Sequence, residues 1–158
     1  MPWAKITVRF ACYAFPIGSV TIGYEDDAVV FLKLEQDSDI PDEPSPFSDH
    51  VAAELREYFE GKRTSFSFPI RLIGTAFQKA VWEQLQKIPY GQTRTYGEIA
   101  SAIGRPKASR AIGAACNQNP IWIAVPCHRV IGKRGTLTGY AGGLDLKQKL
   151  LELEKENT

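Results

Sequence analysis

The chain has 158 residues, 44% of them hydrophobic, and a formal net charge of +1, which suits one compact domain or two small ones with a buried core. Its three cysteines, Cys12, Cys116 and Cys127, are odd in number and far apart, which argues against a disulfide scaffold and for a reducing, cytoplasmic setting. No stretch is apolar enough to span a membrane, the N-terminus lacks a secretion signal, and two histidines, His50 and His128, with no cysteine pair at zinc spacing leave no expectation of a metal.

Residues 5–34 read as strands. Ile6-Thr7-Val8-Arg9-Phe10 alternates and is rich in β-formers, and Val20 to Tyr24, a break at Glu25-Asp26-Asp27, then residues 28–34 read as a hairpin. Residues 36–46 are acidic and Pro-rich, hence a loop. Ser48 is placed to cap a helix carrying Val51, Leu55, Tyr58 and Phe59 on one face, with Gly61 ending it. Residues 64–72 read as an extended connector. The first unit, 1–70, is thus a small antiparallel sheet plus one helix, with no visible chemistry.

The second unit, 71–158, reads as mainly helical. Phe77, Val81, Leu85 and Ile88 recur at helical spacing until Pro89-Tyr90-Gly91. Thr95-Tyr96-Gly97-Glu98 fits a capping box opening a second helix. After Gly104-Arg105-Pro106, residues 107–118 form a third helix full of small residues. Two short helices across a tight turn fit a helix-turn-helix or an ordinary helix pair in a core. Ile121-Trp122-Ile123-Ala124-Val125 reads as a buried strand that ends at Pro126-Cys127-His128-Arg129-Val130. A glycine-rich loop follows, and Leu144 to Glu156 closes the chain as a helix. The fold class is α+β.

Charge is unevenly placed: residues 1–70 hold twelve acids and six bases, residues 71–140 ten bases and two acids. A basic half fits a polyanion partner, although a solvated basic face gives the same count. Cys127 is the leading candidate for chemistry. A free thiol, with a pKa near 8.5, is mostly inert at neutral pH and needs a base or a positive field; His128 is the local base, reachable through a turn or one water. The dipeptide alone fits a structural cysteine beside a surface histidine at least as well. Glu154 shares a helical face with Lys147, Leu150 and Leu151, so it falls near a buried surface and completes the Cys–His–carboxylate logic; a frayed, wet helix end is the alternative. Tyr96 at a helix start fits plain packing. Arg110, flanked by Ala108, Ser109 and Ala111, fits either a groove-directed side chain or a solvated charge.

Pro126-Cys127-His128-Arg129-Val130, preceded by Asn119-Pro120, resembles the active-site signature of the O6-alkylguanine-DNA alkyltransferases. The resemblance extends through Val81-Trp82, Ile88-Pro89-Tyr90-Gly91, Tyr96-Gly97-Glu98-Ile99-Ala100, Arg110-Ala111-Ile112-Gly113, Gly139-Tyr140-Ala141-Gly142-Gly143, Lys147 and Leu151-Glu152-Leu153-Glu154. The first unit agrees in outline, through Pro16-Ile17-Gly18 and Tyr58-Phe59-Glu60-Gly61.

The resemblance implies an RNase H-like first unit and a winged-helix-like second unit. It implies that Cys127 accepts an alkyl group from guanine O6 once and irreversibly, with weaker action on O4-alkylthymine. His128 would take the thiol proton through a water, Glu154 would orient His128, and Tyr96 would donate to guanine N3. Asn119 would hold the turn before the cysteine. Tyr140 and the Ala141 backbone would line the alkylguanine pocket, and Lys147 would support Tyr96. Arg110 would fill the gap left by a flipped nucleotide, and Ala108, Ser109, Ala111 and Arg129 join the substrate- or DNA-contacting set. Extrusion costs roughly a few kcal/mol, which such a wedge offsets, and sequence-independent binding suits phosphate contacts in a minor groove. The implied partner is double-stranded DNA carrying O6-alkylguanine, met by a monomer without a cofactor. Ala141 stands where several relatives carry serine, and the zinc ligands and cysteine-rich sensor region of some relatives are missing. Cys116, on the recognition helix, is expected to pack. A lesion sensor without transfer and a thiol-based redox regulator are the competing readings.

Overall fold

Residues 9–33 fold into a three-stranded antiparallel meander whose middle strand is buried continuously over residues 20–24. The structure, a computed structural model, describes residues 7–35 and 38–158; Ile6 of the expected first strand and Gln36 and Asp37 of the acidic loop lie outside the described residues. The chain divides into two compact units, Met1–Arg71 and Leu72–Thr158.

In the first unit, β1 (Arg9–Phe15), β2 (Gly18–Glu25) and β3 (Ala28–Lys33) pair in that order. β1 runs further than the expected residues 6–10, because Ala11 and Phe15 are buried and the ladder continues to Phe15 opposite Gly18. β2 and β3 are joined by Asp26-Asp27, both at positive φ (51° and 58°), the two-residue turn whose twist matches that of the strands. The ladder shifts register at Gly23, where an added Cβ would lie 2.8 Å from the Phe31 Cβ and 2.9 Å from the Phe10 ring. Glycine lets the two aromatic rings close over the strand there.

The connector at residues 64–72 is not free of the sheet: Val29 N donates to the Pro69 carbonyl (2.8 Å) and Arg71 N to the Val29 carbonyl (2.9 Å). α1 (Pro46–Phe59) begins earlier than expected, because Ser45 is its N-cap. Ser48 instead sits at the third helical position, where it accepts from the Ser45 backbone N–H in a reciprocal capping box. Val51, Leu55 and Tyr58 are fully buried; burying a Val or Leu side chain stabilises by about 1.5–3 kcal/mol.

The second unit opens with α2 (Ala76–Leu85), α3 (Tyr96–Ala102) and α4 (Ser109–Asn117), which pack together through Val81, Trp82, Leu85, Ile99, Ala100, Ile112 and Ala115. The Trp82 indole N–H donates to the Ala115 carbonyl at 2.9 Å, which ties α2 to α4. Thr95 and Glu98 form the expected capping box on α3. Gly104, at φ 78°, turns the chain after α3. α4 covers residues 109–117 of the expected 107–118 and has no side-chain N-cap. A short parallel pair, β4 (Arg94–Thr95) with β5 (Val130–Ile131), stitches the start of α3 to the segment after Cys127. α5 (Leu144–Glu156) closes the unit as expected. No helix among the described residues is long and apolar enough to cross a membrane.

Candidate active site

Cys127 is presented by a backbone that folds sharply back on itself. The expected strand over residues 121–125 is absent. Ile123 has φ 73°, Ala124 N donates to the Trp122 carbonyl (2.8 Å) and Val125 N to the Ile121 carbonyl (3.1 Å). A β-branched residue in that region costs on the order of 1–3 kcal/mol. Burial of Ile121, Trp122, Ile123 and Val125 offsets it, so an apolar run with the composition of a strand is a buried turn. Cys127 N then donates to the Val125 carbonyl (2.8 Å), and Cys127–Arg129 form one 3-10 turn. Adjacent side chains diverge on a strand but not on such a turn, so Cys127, His128 and Arg129 are all buried side by side.

Asn119 fixes the turn and touches the sulfur. Its Nδ2 donates to the Val125 carbonyl (2.8 Å) and to Cys127 Sγ (3.2 Å), while its Oδ1 accepts from Ile121 N (2.9 Å). The Trp122 indole N–H holds the Asn119 carbonyl at 3.1 Å.

Glu154, 1% exposed, comes from α5. Its Oε2 lies 2.6 Å from His128 Nε2. Arg129 grips the same carboxylate, Nε to Oε1 at 2.8 Å and Nη2 to Oε2 at 3.0 Å, and Gly91 N donates to Oε1 at 3.2 Å. Burial pushes the Glu154 carboxyl up, but the hydrogen bonds and charges of His128 and Arg129 outweigh it and hold the group well below the usual range. An ionised carboxylate only accepts, so His128 Nε2 carries the hydrogen. That leaves Nδ1 as the basic nitrogen; it is buried with no hydrogen-bond partner among the described residues. Burial also lowers His128's proton affinity, against the pull of Glu154. The imidazole is therefore a neutral base of defined tautomer.

Burial pushes the Cys127 thiol up to about 11, while Asn119, Lys147 and Tyr140 pull the other way. The Tyr140 hydroxyl faces the sulfur without strict hydrogen-bond geometry, yet burial and the sulfur together raise it well above its ordinary value. Its ring lies 5.6 Å from that of Trp122. Lys147 is fully buried; its Nζ donates to the Thr138 carbonyl (2.8 Å) and lies 5.9 Å from the centre of the Tyr96 ring. Among the described residues it has no salt bridge, and burial lowers its proton affinity. Burial raises Tyr96, with Cys116 and Cys127 adding to the effect, so Tyr96 keeps a proton to donate. Cys116 packs as expected, its thiol pushed up by burial to about 12.

Ser109, Arg110 and Ala111 are exposed on α4, Ala108 precedes them half-buried, and Ala141 is exposed. Arg129 departs from its expected place among the DNA-contacting residues. Its guanidinium is spent inward, on Glu154 and on the Ile88 carbonyl (2.7 Å), and its side chain is 9% exposed. No motif or spacing in the sequence pairs Arg129 with Glu154. The Gly91 N–H and Ile88 carbonyl are backbone groups that side-chain motifs do not encode. Among the described residues no group of three or more His, Cys, Asp or Glu is placed to hold a metal ion.

Two family models cover nearly the whole chain: the 6-O-methylguanine DNA methyltransferase ribonuclease-like domain over residues 8–72 and the DNA binding domain of the same family over residues 76–156. A methylated-DNA–protein-cysteine methyltransferase of Methanosarcina acetivorans is 49% identical over 151 residues, 92% of this chain and 97% of the relative. The Mycobacterium tuberculosis O6-methylguanine methyltransferase superposes with a TM-score of 0.88 at 44% identity, over 96% of this chain and 95% of that one. The same mycobacterial protein solved in complex with DNA gives 0.87 at 48% identity, over 95% and 94%. The chain belongs to the 6-O-methylguanine DNA methyltransferase family, the methylated-DNA–protein-cysteine methyltransferases.

Proposed function

We propose that the chain repairs O6-alkylguanine in double-stranded DNA by moving the alkyl group to Cys127, once per molecule, acting as a cytoplasmic monomer. Residues 1–70 form its α/β domain and residues 71–158 its DNA-binding and alkyltransferase domain. The observation that carries the reading is the joint burial of Cys127, His128 and Glu154, with Asn119 on the sulfur, Glu154 on His128 Nε2 and a His128 Nδ1 that has no hydrogen-bond partner among the described residues.

A water bridges Cys127 Sγ and His128 Nδ1 and passes the thiol proton to the imidazole. The sulfur–carbon bond forms as the carbon–O6 bond breaks, and the freed electron pair enters the purine. Tyr96 supplies a proton at guanine N3, and the proton held by His128 restores the phenol. The thiol proton thus ends on a neutral guanine. Lys147, against the Tyr96 ring, stabilises the negative charge that develops on the phenol oxygen. Glu154 holds His128 in the tautomer that leaves Nδ1 free. A thioether has no easy reversal, so the protein is used up.

The lesion lies inside the duplex and must be turned out of the stack. Exposed α4 offers Arg110 as the wedge, with Ala108, Ser109 and Ala111 small enough for close approach in the minor groove. Tyr140 and the Ala141 backbone line the pocket for the everted base. With alanine at 141 no side-chain hydroxyl reaches the purine there, and the backbone N–H serves instead. Replacing Cys127 by alanine must abolish lesion removal from duplex DNA; a variant that still clears the lesion contradicts the reading.

A further inference from the structure

One side of α5 faces the reacting groups: Lys147 Nζ lies 5.9 Å from the centre of the Tyr96 ring, and Glu154 Oε2 lies 2.6 Å from His128 Nε2. Leu144 stands three residues before Lys147 and seven before Leu151, a spacing that puts it on the same side of the helix. Lys147, Leu150 and Glu154 are buried, yet Leu144 is 49% exposed. Among the described residues only Ile73 is another large hydrophobic that stands so open, and Ile73 precedes α2. A lone exposed leucine needs no explanation; Leu144 acquires one from its neighbours. Gly143 N donates to the Tyr140 carbonyl (2.9 Å), Lys147 N to the Gly143 carbonyl (3.1 Å) and Lys147 Nζ to the Thr138 carbonyl (2.8 Å). Residues 138–143 are thereby folded onto the first turn of α5, and Ala141, within them, is exposed as well.

The inner wall of the pocket has no room to spare. A Cβ on Gly142 would lie 2.7 Å from a Leu146 methyl carbon and 2.9 Å from both the Trp122 and the Tyr140 rings. The Trp122 indole N–H is pinned to the Asn119 carbonyl at 3.1 Å, and Trp122 and Tyr140 are both buried. The transferred carbon must sit against Cys127 Sγ whatever the chain length, because the sulfur–carbon bond forms there as the carbon–O6 bond breaks. Carbons beyond the first therefore leave past Tyr140 on its open side, where the exposed neighbours are Ala141 and Leu144. We propose that Leu144, with Ala141, forms an apolar shelf at the edge of the alkylguanine pocket, which receives the outer carbons of O6-alkyl groups longer than methyl. The proposal rests on the alkyl-transfer reading and names the lesions to which it extends. Covering the shelf removes apolar surface of both the leucine and the alkyl chain from water. A methyl group ends at the sulfur and gains nothing from it. For either group the thiol proton ends on a neutral guanine.

The test compares wild type with Leu144→Ser and Leu144→Met. Each protein meets two duplexes of one sequence, carrying O6-methylguanine or O6-n-butylguanine at the same position. Transfer rates are read from the mass gained by the Cys127 peptide, and the quantity compared is the ratio of the n-butyl to the methyl rate. Leu144 is exposed at the start of its helix, so both variants should fold, which circular dichroism checks. Wild type should remove both lesions. L144S should lower the ratio by about tenfold, the loss expected when an apolar contact worth a methylene or so is removed. L144M, which keeps the apolar surface, should stay near the wild-type ratio. A ratio unmoved in L144S overturns the proposal, and so does equal slowing on both lesions, as a contact to the DNA backbone would give. A wild type that takes up methyl and leaves n-butylguanine in place overturns it too, while the repair reading stands. Uptake of neither group by wild-type Cys127 removes the repair reading and the shelf with it.

Discussion

The Asn119 amide holds the Cys127 sulfur at 3.2 Å with the same nitrogen that holds the Val125 carbonyl at 2.8 Å. One side chain thus fixes the buried turn and donates a hydrogen bond to the nucleophile. Its Oδ1 closes the turn through Ile121 N at 2.9 Å.

Asn119→Ala leaves the buried Ile121 N–H without its acceptor and removes one of the two donors to the Val125 carbonyl, which keeps Cys127 N. It should lower unfolding free energy by about 2–3 kcal/mol in denaturant titration. It also removes one of the influences that favour the anionic sulfur, so methyl transfer by the folded fraction should slow by about tenfold or more.

Glu154→Gln should weaken the fold and flatten its response to acid. Glu154 is held well below the ordinary carboxylate range of about 4.3. Its contribution is therefore complete above that value and is lost as pH falls below it. His128, depressed from its ordinary value near 6.5, acts in the same direction: it begins to oppose folding as pH drops below that ordinary value, and the loss levels off below its folded-state value. Wild type should thus lose stability steadily below about pH 6.5. The glutamine variant leaves Arg129 buried without its counter-charge, costing about 3 kcal/mol at pH 7, and should show a shallower acid limb in urea melts between pH 7 and pH 3.

Tyr96→Phe keeps the ring beside Lys147 but removes the proton donor. Transfer from duplex DNA should slow by about 10²-fold, while affinity for lesion-bearing DNA measured by anisotropy stays within a few-fold. A Phe variant that transfers at the wild-type rate would remove Tyr96 from the reaction.

Arg110→Ala should separate extrusion from chemistry. Repair of duplex DNA should slow far more than reaction with free O6-benzylguanine, which needs no flipping. Equal slowing on both substrates would show that Arg110 is not the wedge.

Much of this site is legible in the sequence because side-chain chemistry in a fixed order specifies it. The capping box at Thr95 and Glu98, the helix that buries Glu154, and the adjacency of Cys127 and His128 all follow from residue type and spacing. Sequence and structure part where the backbone decides. Ile121 to Val125 is apolar enough for a strand, but a left-handed Ile123 turns it back, and no local pattern announces that conformation. Ser45 rather than Ser48 caps α1, because Pro46 sits at the first helical position and both serines take part in one box. Arg129 stands among the DNA contacts that the family resemblance implies. Its partners, Glu154 and the Ile88 carbonyl, lie 25 and 41 residues away, beyond any local pattern.

The central claim is that the Cys127 sulfur becomes the acceptor of the lesion's alkyl group. Intact-mass and peptide mass spectrometry after incubation with excess O6-methylguanine duplex test it most directly. One methyl group per molecule, confined to the peptide that carries Cys127 and absent from Cys12 and Cys116, is the predicted result. A protein that removes the lesion with Cys127 unmodified, or that takes up methyl at either other cysteine instead, would contradict it.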